Sequence, residues 1–190
     1  MEDRQQPNSL RRRIDSAAYH EAGHAVVAAR LGLEFWGGIH INCEGAGVSE
    51  YCHREPGIKG STAKDIDERK RTIVALYAGK YAQEKYFPGL DYPESSKSDM
   101  DTAAALLEEM KDVRPRITDQ MLRSHAERLV LDNWSVIDKL ALTLLKKQTR
   151  PLTKSEIDRG WSLGRPNGKS IPRCELEDFF RTALAAPKAS

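Results

Sequence analysis

The hydrophobic pattern divides the chain into a series of helices interrupted by one short strand region. From Asp15 or Ser16 to Leu31 the residues are small and apolar, with Ala17-Ala18-Tyr19 followed by Ala25-Val26-Val27-Ala28. This composition predicts a buried helix. Asp15 and Ser16 are candidate N-caps, Gly32 is a natural C-terminal stop, and no proline intervenes. Phe35 to Asn42 and Ala46 to His53 read as two strands around a turn at Gly45. After a Pro/Gly loop at 54–60, Ser61 or Thr62 opens a long helix that ends before Pro88, and Thr62-x-x-Asp65 forms a capping pair. Ile66, Ile73, Leu76 and Tyr77 recur at helical spacing and are expected in the core, while Gly79 in mid-helix suggests close packing against the first helix. A loop at 88–98 precedes a helix from about 98 to 112 that stops near Pro115. Residues 118–148 are helical with a break near Asn133, and Thr153-x-x-Glu156 is a capping box that opens a short helix to Trp161. Residues 163–172 are a Gly/Pro-rich linker. The tail at about 173–186 is an amphipathic helix (Leu176, Phe179, Phe180, Leu184) that either docks on the core or binds a partner.

Composition narrows the class. At 190 residues, one domain is expected over 14–162, with a polar, basic arm at 1–13 and a linker and helix at 163–190 as appendages. With 39% apolar and 31% charged residues the chain suits a soluble globular protein, and a net charge of +2 gives no argument for nucleic acid. Arg11-Arg12-Arg13 reads as a solvated arm. Three cysteines without a C-x-x-C pair fit a reducing setting, hence a cytoplasmic protein. No apolar run reaches the ~20 residues needed to span a bilayer, and the N-terminus is too polar for a secretory signal. Gly164-Arg165-Pro166-Asn167-Gly168-Lys169-Ser170 imitates a phosphate-binding loop. It has one residue too few between its glycines, and Pro172 falls where the phosphate-binding helix would start, so it reads as a loop.

The chemistry lies in the first helix. His20-Glu21-Ala22-Gly23-His24 is an H-E-x-x-H pattern. Residues four apart share a helix face, so His20 and His24 can ligate one zinc ion from the same side. Glu21, beside the first ligand, is placed to act as a general base toward water. Two imidazoles on a buried helix need a partner, and a metal supplies it. A hydrolytic zinc site also needs a third protein ligand. Glu44 follows His24 with nineteen residues between, a spacing found in thermolysin-like enzymes. There, however, the glutamate stands on a second helix, whereas Cys43-Glu44-Gly45-Ala46-Gly47 is turn chemistry. The metzincin extension is absent, since Val27 and Arg30 occupy its Gly and His positions. Asp99 is the remaining candidate, in Ser98-Asp99-Met100-Asp101-Thr102-Ala103. Ser96-x-x-Asp99 and Ser98-x-x-Asp101 also fit ordinary helix-start chemistry, which leaves Asp101 as a rival.

Tyr19-His20-Glu21-Ala22-Gly23-His24-Ala25-Val26-Val27-Ala28 closely resembles the zinc-site helix of the FtsH family of ATP-dependent membrane zinc proteases. Ala75 to Phe87 resembles that family's Gly-Gly-Arg-Ala-Ala-Glu helix. Ser98-Asp99-Met100-Asp101-Thr102-Ala103 resembles the segment whose Asp is the family's third zinc ligand. The likeness spans roughly 14–160 and is strongest in the first helix. It implies His20, His24 and Asp99 as zinc ligands, Glu21 as catalytic base, and a strand region bordering the substrate cleft. The family also carries transmembrane helices and an ATPase module, and neither is expected here.

The expected fold is therefore mainly α (α+β), a helical zincin-like peptidase domain with a small β-hairpin beside the zinc helix. The expected activity is zinc-dependent endopeptidase cleavage of flexible or unfolded polypeptides without intrinsic ATPase. The rival reading is a peptidase-like binding or regulatory protein with little turnover, or a protease subunit served by a separate ATPase partner. Intact Glu21 argues for turnover, because a scaffold that only holds metal does not need it. His40 and His53 on the strands and His125 on a helix are expected to be surface polar residues.

Overall fold

The computed structural model describes residues 6–51, 56–57, 62–89, 93–154, 156 and 167–185. Helix α1 (Gln6–Arg30) is followed by strands β1 (Phe35–Asn42) and β2 (Gly47–Tyr51), then by helices α2 (Ala63–Tyr86), α3 (Pro93–Met110), α4 (Asp119–Asp132) and α5 (Trp134–Lys146). Strands β3 (Arg150–Pro151) and β4 (Asn167–Ile171) and helix α6 (Arg173–Ala185) follow among the described residues. The protein is mainly helical with a small four-stranded antiparallel sheet.

Helix α1 is the centre of the fold. Ala17 to Ala28 is buried throughout, between α2 and α5 on the helical side and β1 and β2 on the other. Its crossing with α2 is unusually close because of two glycines. A Cβ at Gly23 would lie 2.6 Å from Cβ of Ala82 and 2.7 Å from the carbonyl oxygen of Ala78. A Cβ at Gly79 would in turn fall among the α1 histidines, as described below. The mid-helix Gly79 thus allows the close packing expected from the sequence. Gly23→Ala should separate the helices and lower stability by the ~1–3 kcal/mol of an overpacked contact, which thermal melting measures.

The helix starts differ from expectation at two places. α1 begins at Gln6 rather than Asp15 or Ser16, so part of the supposed arm is helical. Pro7 fits a first turn, and Ile14 extends the apolar face of Ala17 and Ala18 backward onto the core. Arg11, Arg12 and Arg13 are exposed on this extension. α3 begins at Pro93, within the loop expected at 88–98, again with proline in the first turn. Elsewhere the local signals act as read. Thr62 and Asp65 form a reciprocal capping box. Asn133 ends α4 and begins α5 while its side-chain oxygen accepts a 2.6 Å hydrogen bond from Arg30. At the hairpin, the Asn42 side-chain oxygen accepts from the backbone N–H of Glu44 and Ala46, and Gly45 supplies the positive φ of 87°.

The largest departure lies in the supposed linker. Residues 167–171 are strand β4, inserted between β1 and β3 in the order β2-β1-β4-β3. Ile39 pairs with Ile171, His40 with Ser170 and Ile41 with Lys169. The hairpin is therefore one half of a larger sheet. The Gly168-Lys169-Ser170 end of the phosphate-loop imitation is paired strand, and its Gly164–Pro166 start lies outside the described residues. α6 docks its Leu176 and Phe180 on the core, with the Phe180 ring 5.5 Å from that of Phe35. Ile171, Leu176 and Phe180 thus join the same core cluster as α1, the docking alternative for the tail helix. His40, expected at the surface, is fully buried on β1, whereas His125 is exposed. His53 and the end of the short helix at Trp161 lie outside the described residues.

The Thr153–Glu156 capping box forms, and Arg150 extends it. The guanidinium forks onto the Glu156 carboxylate at 2.6 and 2.9 Å and also donates to Ser170 of β4. Arg150, opposed by burial and helped by Thr153, holds the Glu156 carboxyl down at about 2, against an ordinary 4.5. A depressed carboxyl stabilises the fold above its unfolded value and loses that contribution as pH falls through its folded value. Glu156→Gln should therefore lower stability by about 1–3 kcal/mol at pH 7. It should also flatten the acid loss between about pH 4.5 and 2 in denaturant titrations.

Candidate metal centre

α1 sets the site with two residues one turn apart. The His20 and His24 rings meet edge to face at 85°, with centroids 4.5 Å apart, which brings both Nε2 atoms to one point. Each ring is oriented from behind by α2. His24 Nδ1 donates to the carbonyl oxygen of Ala75 at 2.8 Å, and His20 Nδ1 faces Oε1 of Gln83 at 3.2 Å. With Nδ1 carrying the proton, both Nε2 atoms present lone pairs to the site.

α3 brings Asp99 to the same point. Its Oδ2 lies 3.0 Å from His20 Nε2 and 3.2 Å from His24 Nε2, and the two Nε2 atoms are 2.9 Å apart. Three lone-pair donors at this range repel one another unless a cation sits among them. In the absence of metal, a proton can take that role. Burial disfavours the charged imidazole, but the Asp99 carboxylate overrides it and raises His24 to about 9. For the Asp99 carboxyl, too, burial acts against the charged form, and the facing histidines prevail and push it far below the usual range. A metal ion is the alternative cation. Ligands at 2.0–2.1 Å in a tetrahedron stand about 3.3 Å apart, close to the spacing of this trio, so the group could hold a metal ion.

The other two candidates for third ligand are elsewhere. Glu44 is exposed in the hairpin turn. Asp101 is exposed and pairs with Lys97 on its own helix. The helix spacing explains this outcome, because Asp99 and Asp101 differ by about 200° around α3 and only one can face α1.

Glu21 stands beside the trio, only 5% exposed, and is not among the converging donors. Burial raises its pKa, while His20, His24 and a hydrogen bond from Ser49 oppose that rise. The Ser49 hydroxyl lies 2.8 Å from Oε2 and 3.0 Å from the main-chain oxygen of Glu21. Tyr51, two residues on and on the same face of β2, is buried with its ring 6.5 Å from that of His24. Burial, then the charges of Asp99 and Glu21, holds its phenol well above the ordinary range, so it remains neutral. Gln83, Ser49 and Tyr51 carry no site signal in the sequence. Strand alternation from Gly47 gives the shared face of Ser49 and Tyr51, but only the packing of β2 on α1 shows which face that is.

Gly79 belongs to the site as much as any ligand. A Cβ there would lie 2.4 Å from His24 Nε2 and 2.9 Å from His20 Cε1. Both rings are pinned from α2 and cannot yield. Gly79→Ala should reduce metal affinity at least about tenfold, in the range of a lost supporting contact, as read by calorimetric titration.

No protein-family model matches the chain, and no curated protein is significantly similar to it. Among the described residues no helix is long and apolar enough to cross a membrane.

Proposed function

We propose that the chain is a zinc-dependent metalloendopeptidase acting on flexible or unfolded polypeptides. The observation that carries this reading is the convergence of His20, His24 and Asp99 on one point with a separate buried carboxylate, Glu21, alongside. Two imidazoles and a carboxylate are a zinc donor set that leaves a position open for reaction. The resemblance of the His20–His24 helix to the FtsH peptidase site supports the same assignment. Zinc, when bound, would supply Lewis acidity toward water and the substrate carbonyl. Glu21 takes a proton from the attacking water and delivers it to the leaving amine. Its raised pKa suits both halves of that transfer. Gln83 and the Ala75 carbonyl keep the two imidazoles in the tautomer that presents Nε2.

The substrate class follows from access. His20, Glu21 and His24 are each 4–5% exposed, and the Asp99 side chain 21%. A peptide bond can reach them only as part of a thin, extended segment. Among the described residues β2 is an edge strand of the sheet, and it lies against Glu21, so an extended substrate can pair along it. Cleavage of a casein-like unfolded protein is expected with zinc bound, folded proteins should resist, and added ATP should leave the rate unchanged. Cleavage that requires nucleotide would overturn the ATP-independent part of this proposal. The same tight access favours a second reading, a binding protein of low turnover. That reading would replace the first if the zinc-loaded chain retains unfolded polypeptide without cutting it. The free thiols of Cys43 and Cys174 accord with a cytoplasmic setting.

A further inference from the structure

A carboxylate one residue from a metal ligand, buried beside a divalent cation, is itself a good oxygen ligand. Something must keep Glu21 off the metal if it is to serve as a base. β2 supplies the restraint through residues 47 and 49, which alternate onto the face toward α1. A Cβ at Gly47 would lie 2.5 Å from Glu21 Cγ and 2.6 Å from Oε1, so the strand backbone lies directly against the carboxylate. The Ser49 hydroxyl lies 2.8 Å from Oε2 and 3.0 Å from the Glu21 carbonyl oxygen, so its one proton, shared between the two acceptors, holds the carboxylate against β2. We propose that Ser49 is a positioning residue that, with Gly47 as its wall, holds the Glu21 carboxylate in the base orientation and off the metal. This rests on the peptidase reading above and adds to it a residue on the strand that also borders the substrate path.

The test uses Ser49→Ala, Ser49→Cys (similar in size, a poor donor) and Ser49→Thr in the full chain. Three quantities are compared with wild type: the visible spectrum of the cobalt(II) form, metal stoichiometry with melting temperature, and kcat and KM on an unfolded fluorogenic peptide. Without the tether the carboxylate should join the metal. The cobalt absorption should then weaken as the coordination number rises. One metal per chain should still bind, and melting should shift by no more than a few degrees. kcat should fall about tenfold to a hundredfold, the scale of a misplaced catalytic group, with KM unchanged. Ser49→Thr should restore both the spectrum and kcat. Cobalt spectra identical to wild type in Ala and Cys overturn the proposal whatever the turnover. So does loss of metal or fold in both variants, a rise confined to KM, or a changed spectrum with wild-type kcat. If zinc-loaded wild type cleaves nothing, the peptidase reading fails separately. The cobalt spectra then decide whether Ser49 restrains Glu21.

Discussion

Glu21→Gln is expected to bind zinc at wild-type stoichiometry, to melt near the wild-type temperature, and to lose roughly 10²–10⁴-fold in turnover, the usual loss of a general base. The side chain keeps its length and can still accept the 2.8 Å hydrogen bond from Ser49. What disappears is the capacity to take a proton. Stability should not suffer, because burial raises the carboxyl pKa, so the charged form is disfavoured where it stands. A neutral amide removes that charge without opening a cavity. Single-turnover assays with an unfolded peptide would show substrate bound but uncut. Turnover equal to wild type would move the activity to another site or to a contaminant.

Asp99→Ala is expected to weaken zinc binding by at least about 100-fold, beyond the 10–100-fold typical of groups that only support ligands. His20→Ala and His24→Ala should do the same. Glu44→Ala and Asp101→Ala should bind like wild type, since both carboxylates are exposed away from the trio. The same titration reads out Asp99 in a second way. Metal-free wild type carries a His24–Asp99 pair with a raised His24 pKa, so zinc must displace a proton and its apparent affinity should fall as pH drops below about 9. Removing Asp99 should remove most of that proton competition. Full zinc affinity in Asp99→Ala with loss in Asp101→Ala or Glu44→Ala would reassign the third ligand.

Most of the elements were readable because their signals are local. Thr62 and Asp65, and Thr153 and Glu156, act within a few residues of themselves, and the hydrogen bonds they make are those their sequence spacing implies. The H-E-x-x-H spacing likewise fixes two rings on one face without reference to the rest of the fold. Asp99 was harder, because its role depends on the packing of α3 against α2, which carries its carboxylate to the α1 histidines nearly eighty positions away in sequence. Its flanking serines look equally like a helix start. The helix begins earlier, at Pro93, so Asp99 sits inside it rather than at its cap. β4 was missed for a similar reason. Asn167-Gly168-Lys169-Ser170 has loop composition and becomes a strand only because β1 offers a long neighbour to pair with. A Cβ at Gly168 would lie 2.3 Å from the Ile41 carbonyl oxygen, so the glycine that suggests a loop is what lets the strands approach. His40 follows from this pairing, because the residue that reads as exposed on a hairpin is buried once β4 flanks it.

The most direct measurement is a zinc titration of the metal-free chain in which cleavage of an unfolded polypeptide is followed alongside metal uptake. Activity should be absent before zinc, rise linearly, and break at one zinc per chain. Asp99→Ala should show no break over the same range, and Glu21→Gln should take up one zinc without gaining activity. Cleavage that is present in the metal-free chain, or that ignores zinc while the His20–His24–Asp99 site fills, would contradict a metallopeptidase built on these residues.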